Sequence, residues 1–119
     1  MTNSTIYCTI EGMKEQRYTI LTTAEFGEWY GSQPLKDRAQ IEDRLLNIQL
    51  AGYFGLHKCV DEDRIIWELK WTGGRRIYYA YIPPQKILLL LGGNKNGQDK
   101  DIKKAKKVYV KTVEVEVED

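Results

Sequence analysis

From Ile65 to Trp71 the odd positions are apolar (Ile65, Trp67, Leu69, Trp71), while Glu68 and Lys70 hold even ones. A period of two is the mark of a half-buried strand. The pattern resumes after Thr72-Gly73-Gly74, where Ile77, Tyr79 and Tyr81 alternate with Arg76, Tyr78 and Ala80. Residues directly opposite in a hairpin share a face. A loop with an odd residue count therefore pairs odd with odd and puts Trp67, Leu69, Ile77 and Tyr79 into one core, with Trp71 and Tyr81 beside them. A two-residue Gly73-Gly74 loop would set Lys70 beside Ile77, so a three- or five-residue loop is expected. Glu68, Lys70, Arg76 and Tyr78 then share the face away from the core. Ile87 to Leu91 is apolar throughout, which predicts an interior strand covered on both sides.

The rest of the chain reads by the same rules. Thr5–Ile10 and Arg17–Thr22 predict short strands separated by Glu11-Gly12-Met13-Lys14. Thr23 can cap a short helix, Ala24–Tyr30, and Ser32-Gln33-Pro34 starts a longer one, since a proline at a first turn leaves no N–H unpaired. Apolar residues at Leu35, Ala39, Ile41, Leu45, Leu46, Ile48 and Leu50 cover a wide face of that helix, and Gly52 ends it. Strands follow at Leu56–Val60 and Arg64–Trp71, with turns at Asp61-Glu62-Asp63 and Ile82-Pro83-Pro84-Gln85. Asn94–Gln98 is a loop, and a helix is expected from Asp99 to about Val108. The tail Val113–Glu118 alternates strictly and predicts a half-buried strand, which could pair with a strand around Ile6–Thr9. The fold class is α+β: an antiparallel-rich curved sheet of about four to six strands, packed on one face by two N-terminal helices, with a C-terminal helix and an extra terminal strand. Residues 1–119 read as one domain, with 1–16 and 111–119 as the extra strands.

Composition is that of a soluble globular chain: 42% hydrophobic and 29% charged. No apolar run reaches membrane-spanning length and no secretory leader is visible, so a cytoplasmic protein without a membrane partner is expected. Cys8 and Cys59 are too few for a disulfide framework or a zinc site and read as reduced, partly buried thiols. The net charge of +1 averages over a split. Residues 1–63 carry 6 Lys and Arg against 10 Asp and Glu; residues 64–110 carry 11 against 3; residues 111–119 carry 1 against 4. A basic middle suits a polyanionic partner, although several of the lysines at 100–107 would serve equally to solvate one helix.

Over about residues 17–108 the chain resembles the RelE/ParE toxin superfamily of bacterial toxin–antitoxin modules, and within it the phage-related, HigB-like branch. The residues that carry the resemblance are Thr23-Ala24-Glu25-Phe26-Gly27-Glu28-Trp29, Arg44-Leu45-Leu46, Lys58-Cys59-Val60, Glu68-Leu69-Lys70, Arg76-Ile77-Tyr78-Tyr79, and Leu90-Leu91-Gly92-Gly93-Asn94-Lys95 with Gln98, Asp101 and Ile102. The last block is the most specific. Lys70 stands where arginine is usual, Arg75 where an aromatic residue is usual, and Asn94 where aspartate is usual.

The resemblance implies a toxin that inhibits translation as an mRNA endoribonuclease, an mRNA interferase that needs no metal or cofactor. It also implies a cognate antitoxin, typically a helix-turn-helix protein, RNA met on the ribosome, and a homodimer as one possible state. Such toxins cut by attack of a 2′-OH on the adjacent phosphate. The chemistry needs a proton acceptor, charge stabilisation and a proton donor, and the family draws these from Lys, Arg and Tyr. Arg76 would grip phosphate in a bidentate manner, or else pair with Glu68. Lys95 follows the glycine corner as a phosphate contact or a solvated loop lysine, and Lys70 and Tyr78 complete the catalytic set. Lys58, Arg75 and His57 are candidate RNA contacts. Gly92, Gly93, Gln98 and Asp101 read as structural corner residues, and Glu28, Glu42 and Arg44 as ordinary helix-surface charges. Two alternatives stay open: a gyrase-inhibiting toxin of the ParE kind, and a RelE-fold module that binds or regulates without cutting.

Overall fold

The computed structural model describes residues 17–118, and side chains through residue 114. The order is β1 (Thr19–Thr22), α1 (Ala24–Gly31), α2 (Leu35–Ala51), β2 (His57–Cys59), β3 (Trp67–Lys70), β4 (Arg75–Ile82), β5 (Lys86–Asn94), a 3-10 turn (Lys95–Gly97) and α3 (Gln98–Glu118). The five strands form one sheet in the order β1-β5-β4-β3-β2. Only β1 runs parallel to its neighbour β5; the other pairings are antiparallel. This is the expected α+β architecture.

Local chemistry sets the helix ends. The Thr23 side chain accepts from the Phe26 amide and donates to the Leu89 and Leu90 carbonyls, so one hydroxyl both caps α1 and ties it to β5. Gly52 ends α2 in the left-handed region at φ 71, where a glycine carries no Cβ penalty. The β3–β4 hairpin has the expected odd register: Trp67 opposite Tyr79, Glu68 opposite Tyr78, Leu69 opposite Ile77 and Lys70 opposite Arg76. Trp71 N–H donates to Arg75 O and Gly74 N–H to Trp71 O, which closes a three-residue Thr72-Gly73-Gly74 loop.

Each face of the sheet carries its own core. Phe26, Ile41, Ile48, Phe54, Leu69, Ile77, Tyr79, Ile87 and Leu89 pack under α1 and α2. Ile66, Tyr78, Ala80, Leu88, Leu90 and Leu91 pack against Ala105 and Val108 of α3. The sequence placed the even-numbered face away from the core; α3 instead covers it, and Glu68 and Tyr78 are fully buried there. A β-bulge at Leu90, between the pairs Tyr78–Leu91 and Tyr79–Leu89, shifts the alternation by one residue. Leu90 and Leu91 therefore both face α3. Gly92 then turns toward Trp29, where a Cβ would come within 2.1 Å of the ring, and Gly93 turns toward Asp101.

Three further expectations are corrected. The tail does not add a strand: residues 111–118 continue α3 to Glu118. No Gly or Pro interrupts the chain between Gln98 and Glu118. Extending a formed helix costs far less than starting a new element, and Lys111 pairs with Glu25 to hold the extension against α1. Tyr81 is not a core residue but is 37% exposed at the sheet's rim. Arg64 is not in a strand; it takes φ 60 in the β2–β3 turn, and β3 begins only at Trp67. The expected strand at Thr5–Ile10, and Cys8 with it, lies outside the described residues. Cys59 is half-buried and free among the described residues. Among the described residues no helix is long and apolar enough to cross a membrane.

Candidate functional site

The sheet register assembles a cationic row at the β3–β4 hairpin end. Lys70 lies opposite Arg76, and Arg76 opposite Gly93, so three adjacent strands contribute one row on the α3 face. Gly93 ends that row without a side chain of its own, and Asp101 Oδ2 occupies the space a Cβ would fill, so a carboxylate closes the row on β5. Lys95 joins from the 3-10 turn: its amide donates to Gly74 O at 2.8 Å, and its side-chain stem runs over Gly74. Asn94 caps that turn by accepting from Asn96 N–H. Lys95 is exposed and Lys70 half-buried, and neither has an ion pair among the described residues.

Arg76 is mostly inside. Its Nη1 donates to the Trp71 and Arg75 carbonyls at 3.2 and 3.0 Å, which braces the hairpin from within. Its Nε stands 3.5 Å from Glu68 Oε2, an ion pair rather than a hydrogen bond. Glu68 Oε2 also accepts from Gln98 Nε2 at 2.7 Å, so the first residue of α3 is tied to the sheet through a buried carboxylate. About a tenth of the Arg76 side chain remains open to solvent. The guanidinium is thus fixed in place, and only that small part of the side chain is open to a ligand.

The next row reads Lys58, Glu68, Tyr78, Leu91. Tyr78 is fully buried beneath α3 and its hydroxyl has no partner among the described residues. Burial, and then the Glu68 charge, push its pKa far above the ordinary tyrosine value. Tyr78 therefore stays protonated and does not reach a ligand in this arrangement. Lys58 is exposed at the edge of the sheet. An open groove of about 520 Å³ runs between the β2–β3 turn and the start of α3; Lys58, Arg64, Gln98 and Asp99 line it.

Two expected RNA contacts are committed elsewhere. Arg75 bridges to α2, 3.3 Å from Asp37 and 3.2 Å from Gln40 Oε1, with its guanidinium 5.2 Å from the Trp71 ring centre. His57 faces the opposite side of the sheet from Arg76, opposite Leu69. Its ring lies 5.2 Å from Phe54 and 5.9 Å from Trp67, and Nδ1 is 2.9 Å from Gly55 O. Gln98 and Asp101 hold the corner: Gln98 through Glu68, and Asp101 by packing on Gly93 and Gly97. Burial raises the Asp101 pKa against the opposing pull of Lys104 and Lys100.

Arg44 is the residue that sequence reasoning missed. Far from a surface charge, it donates to the carbonyls of Phe54, Leu56 and Lys70, and its guanidinium lies 4.4 Å from the Trp71 ring centre. It pins α2 to the strand that carries Lys70. Among the described residues no cluster of three or more His, Cys, Asp or Glu could hold a metal ion. A larger concavity, about 770 Å³, lies between β1, α1 and α2; Ile20, Phe26 and Leu46 line it with Glu42 and Asp43, which suits no phosphate.

No family model matches the chain. An uncharacterised protein of Haemophilus influenzae is 38% identical over 91 residues, which span 73% of this chain and 88% of that protein. Among solved structures, the toxin–antitoxin complex RelBE2 of Mycobacterium tuberculosis aligns with TM-score 0.56 at 12% identity, over 66% of this chain and 98% of that one. A mutant of Escherichia coli toxin RelE in the free state aligns with TM-score 0.55 at 15% identity, over 82% of this chain and 96% of that one.

Proposed function

Starting from a chain that belongs to one family with the Haemophilus influenzae protein and carries the fold of RelE toxins, we propose that it is the toxin of a type II toxin–antitoxin pair and that it cleaves RNA at the β3–β4 hairpin end. The observation that carries this reading is the row Lys70–Arg76–Gly93 with Lys95 anchored beside it. A fixed guanidinium and two ammonium groups there can neutralise the charge that grows on phosphate oxygens when a 2′-OH attacks. The Arg76 guanidinium is held before substrate arrives by its bonds to the hairpin carbonyls, and the backbone that carries Lys95 is anchored by its amide. Lys58 would extend the contact along the β2 edge. A cognate antitoxin is the proposed protein partner.

Tyr78 is removed from the reacting set, since its hydroxyl is sealed under α3. His57 and Arg75 drop out as RNA contacts at this site, the first by its face and the second by its pairing with α2. The test is to incubate purified protein with mRNA, with and without ribosomes, and in parallel with DNA gyrase and a supercoiling substrate. RNA cleavage supports the reading. Gyrase inhibition with intact RNA replaces it with a ParE-like activity, and neither result leaves a binding module.

A further inference from the structure

Helix α3 carries an exposed lysine stripe that its own folding does not explain. Lys100, Lys103, Lys104 and Lys107 are all exposed. Their spacing puts them on one side of the helix over about 10 Å. The opposite side buries Ala105 and Val108 and packs Ile102 and Tyr109 on the sheet. The other two lysines of α3 have partners: Lys106 pairs with Asp61 and Asp63, and Lys111 with Glu25. The four outward lysines, Lys100, Lys103, Lys104 and Lys107, have no ion pair among the described residues.

Solvation alone would be served better by another pattern. Lys100–Lys104, Lys103–Lys107 and Lys104–Lys107 are like-charge neighbours one turn apart, and each such pair weakens a helix where Glu–Lys pairs would strengthen it. Lys100 also sits in the first turn, where the helix dipole disfavours positive charge. The last turn, where lysines would be favoured, has no basic residue. From Lys100 to Lys107 the stripe includes no aromatic or aliphatic anchor of the kind that dominates protein–protein contacts. Point charges clustered on one helix face without such an anchor match a polyanion.

We infer that the outer face of α3 is a track for the phosphate backbone of RNA, read without regard to sequence. The choice of RNA rests on the function proposed above; the track itself lies on the far side of α3 from the sheet. Each lysine replaces condensed counterions on the strand, so binding weakens with salt in proportion to the phosphates contacted.

The experiment follows binding of a fluorescent 2′-O-methyl oligoribonucleotide, which has no 2′-OH to attack, by anisotropy between about 50 and 200 mM KCl. Wild type is compared with Lys103→Gln/Lys107→Gln and with the charge-matched control Lys36→Gln/Lys86→Gln, whose residues are exposed elsewhere. The expected result is a slope of log affinity against log salt that falls by about 1.4 in the α3 variant, from about 0.7 per lost contact on a single strand, and is unchanged in the control. An equal slope in wild type and the α3 variant overturns the track, whether or not the protein cleaves RNA. Equal losses in both variants also overturn it, because net charge alone would then account for binding. So does a selective loss of binding to vesicles of phosphatidylcholine and phosphatidylglycerol with RNA binding intact. Failure of cleavage with the slope change present contradicts the proposed activity and leaves the track standing.

Discussion

The Arg44 guanidinium lies 4.4 Å from the centre of the Trp71 ring, while Arg75 approaches the same ring at 5.2 Å. Two cations thus contact Trp71 at the point where β3 leaves the sheet. Arg44 also donates to the carbonyls of Phe54, Leu56 and Lys70. One side chain of α2 thus fixes the segment leading into β2 and the end of β3, and with them the backbone of Lys70. Burial lowers the Arg44 pKa from its ordinary value, but an arginine stays charged throughout the usual pH range.

Arg44→Lys keeps the charge and loses the fork, so it cannot reach three carbonyls at once. The expected loss of stability is about 2–3 kcal/mol, read as a shift in urea midpoint with unchanged slope. A variant as stable as wild type would show that the carbonyls are satisfied by water.

The buried pair Glu68–Arg76 behaves differently when it loses one partner than when it loses both. Glu68→Leu leaves the Arg76 guanidinium without its counter-charge and is expected to cost about 3–5 kcal/mol. The double variant Glu68→Leu/Arg76→Met replaces both charges with apolar groups of similar size and should recover most of that loss. Denaturant unfolding of the two single variants and the double variant checks the coupling. Additive losses would mean that the pair does not act as a unit. The same reasoning makes Arg76→Ala a poor probe of catalysis, because it disturbs the fold.

Tyr78→Phe removes a fully buried hydroxyl that has no partner among the described residues. Stability should hold or rise by up to about 1 kcal/mol, since deleting an unsatisfied polar group relieves its desolvation cost. Toxicity and RNA cleavage should match wild type. Loss of cleavage with stability intact would put Tyr78 back among the catalytic groups and require α3 to move.

Asp101 carries a pKa raised chiefly by burial. An acid whose folded pKa exceeds its unfolded value binds more protons folded than unfolded. Its contribution is therefore present at low pH and is lost as pH rises from the ordinary aspartate value through the raised one. Asp101→Asn should be less affected across that window. The melting-temperature difference, variant minus wild type, is expected to increase as pH rises from the ordinary aspartate value to neutrality; a flat difference would contradict the shift.

Much of the architecture was legible because it is local. Thr23 as a cap, Gly52 as a stop, and the odd pairing of Trp67 with Tyr79 follow from side-chain chemistry and strand alternation within a few residues. What was not legible depends on distant partners. Strict Val–Glu alternation from 113 to 118 reads as a strand until α3 is seen to propagate through it. The even-numbered face reads as solvent-facing until α3 folds over it and buries Glu68 and Tyr78. Arg44 looks like any helix arginine because its carbonyl partners, at 54, 56 and 70, carry no side-chain signal. For the candidate site, the sequence identified the stripe Lys70–Arg76 and the corner at Gly92-Gly93. It could not tell that Arg76 is mostly enclosed, or that Arg75 and His57 point elsewhere.

The most direct measurement is inducible expression in bacteria with primer-extension mapping of mRNA ends, comparing wild type with Lys70→Ala/Lys95→Ala. Both residues are outside the buried Glu68–Arg76 pair and neither forms an ion pair among the described residues, so the variant should keep the wild-type melting temperature. The account predicts growth arrest and new mRNA 5′ ends with wild type, and at least about a hundredfold loss of cleavage in the double variant. Undiminished cleavage by a folded Lys70→Ala/Lys95→Ala protein would contradict the placement of the reaction at the hairpin end.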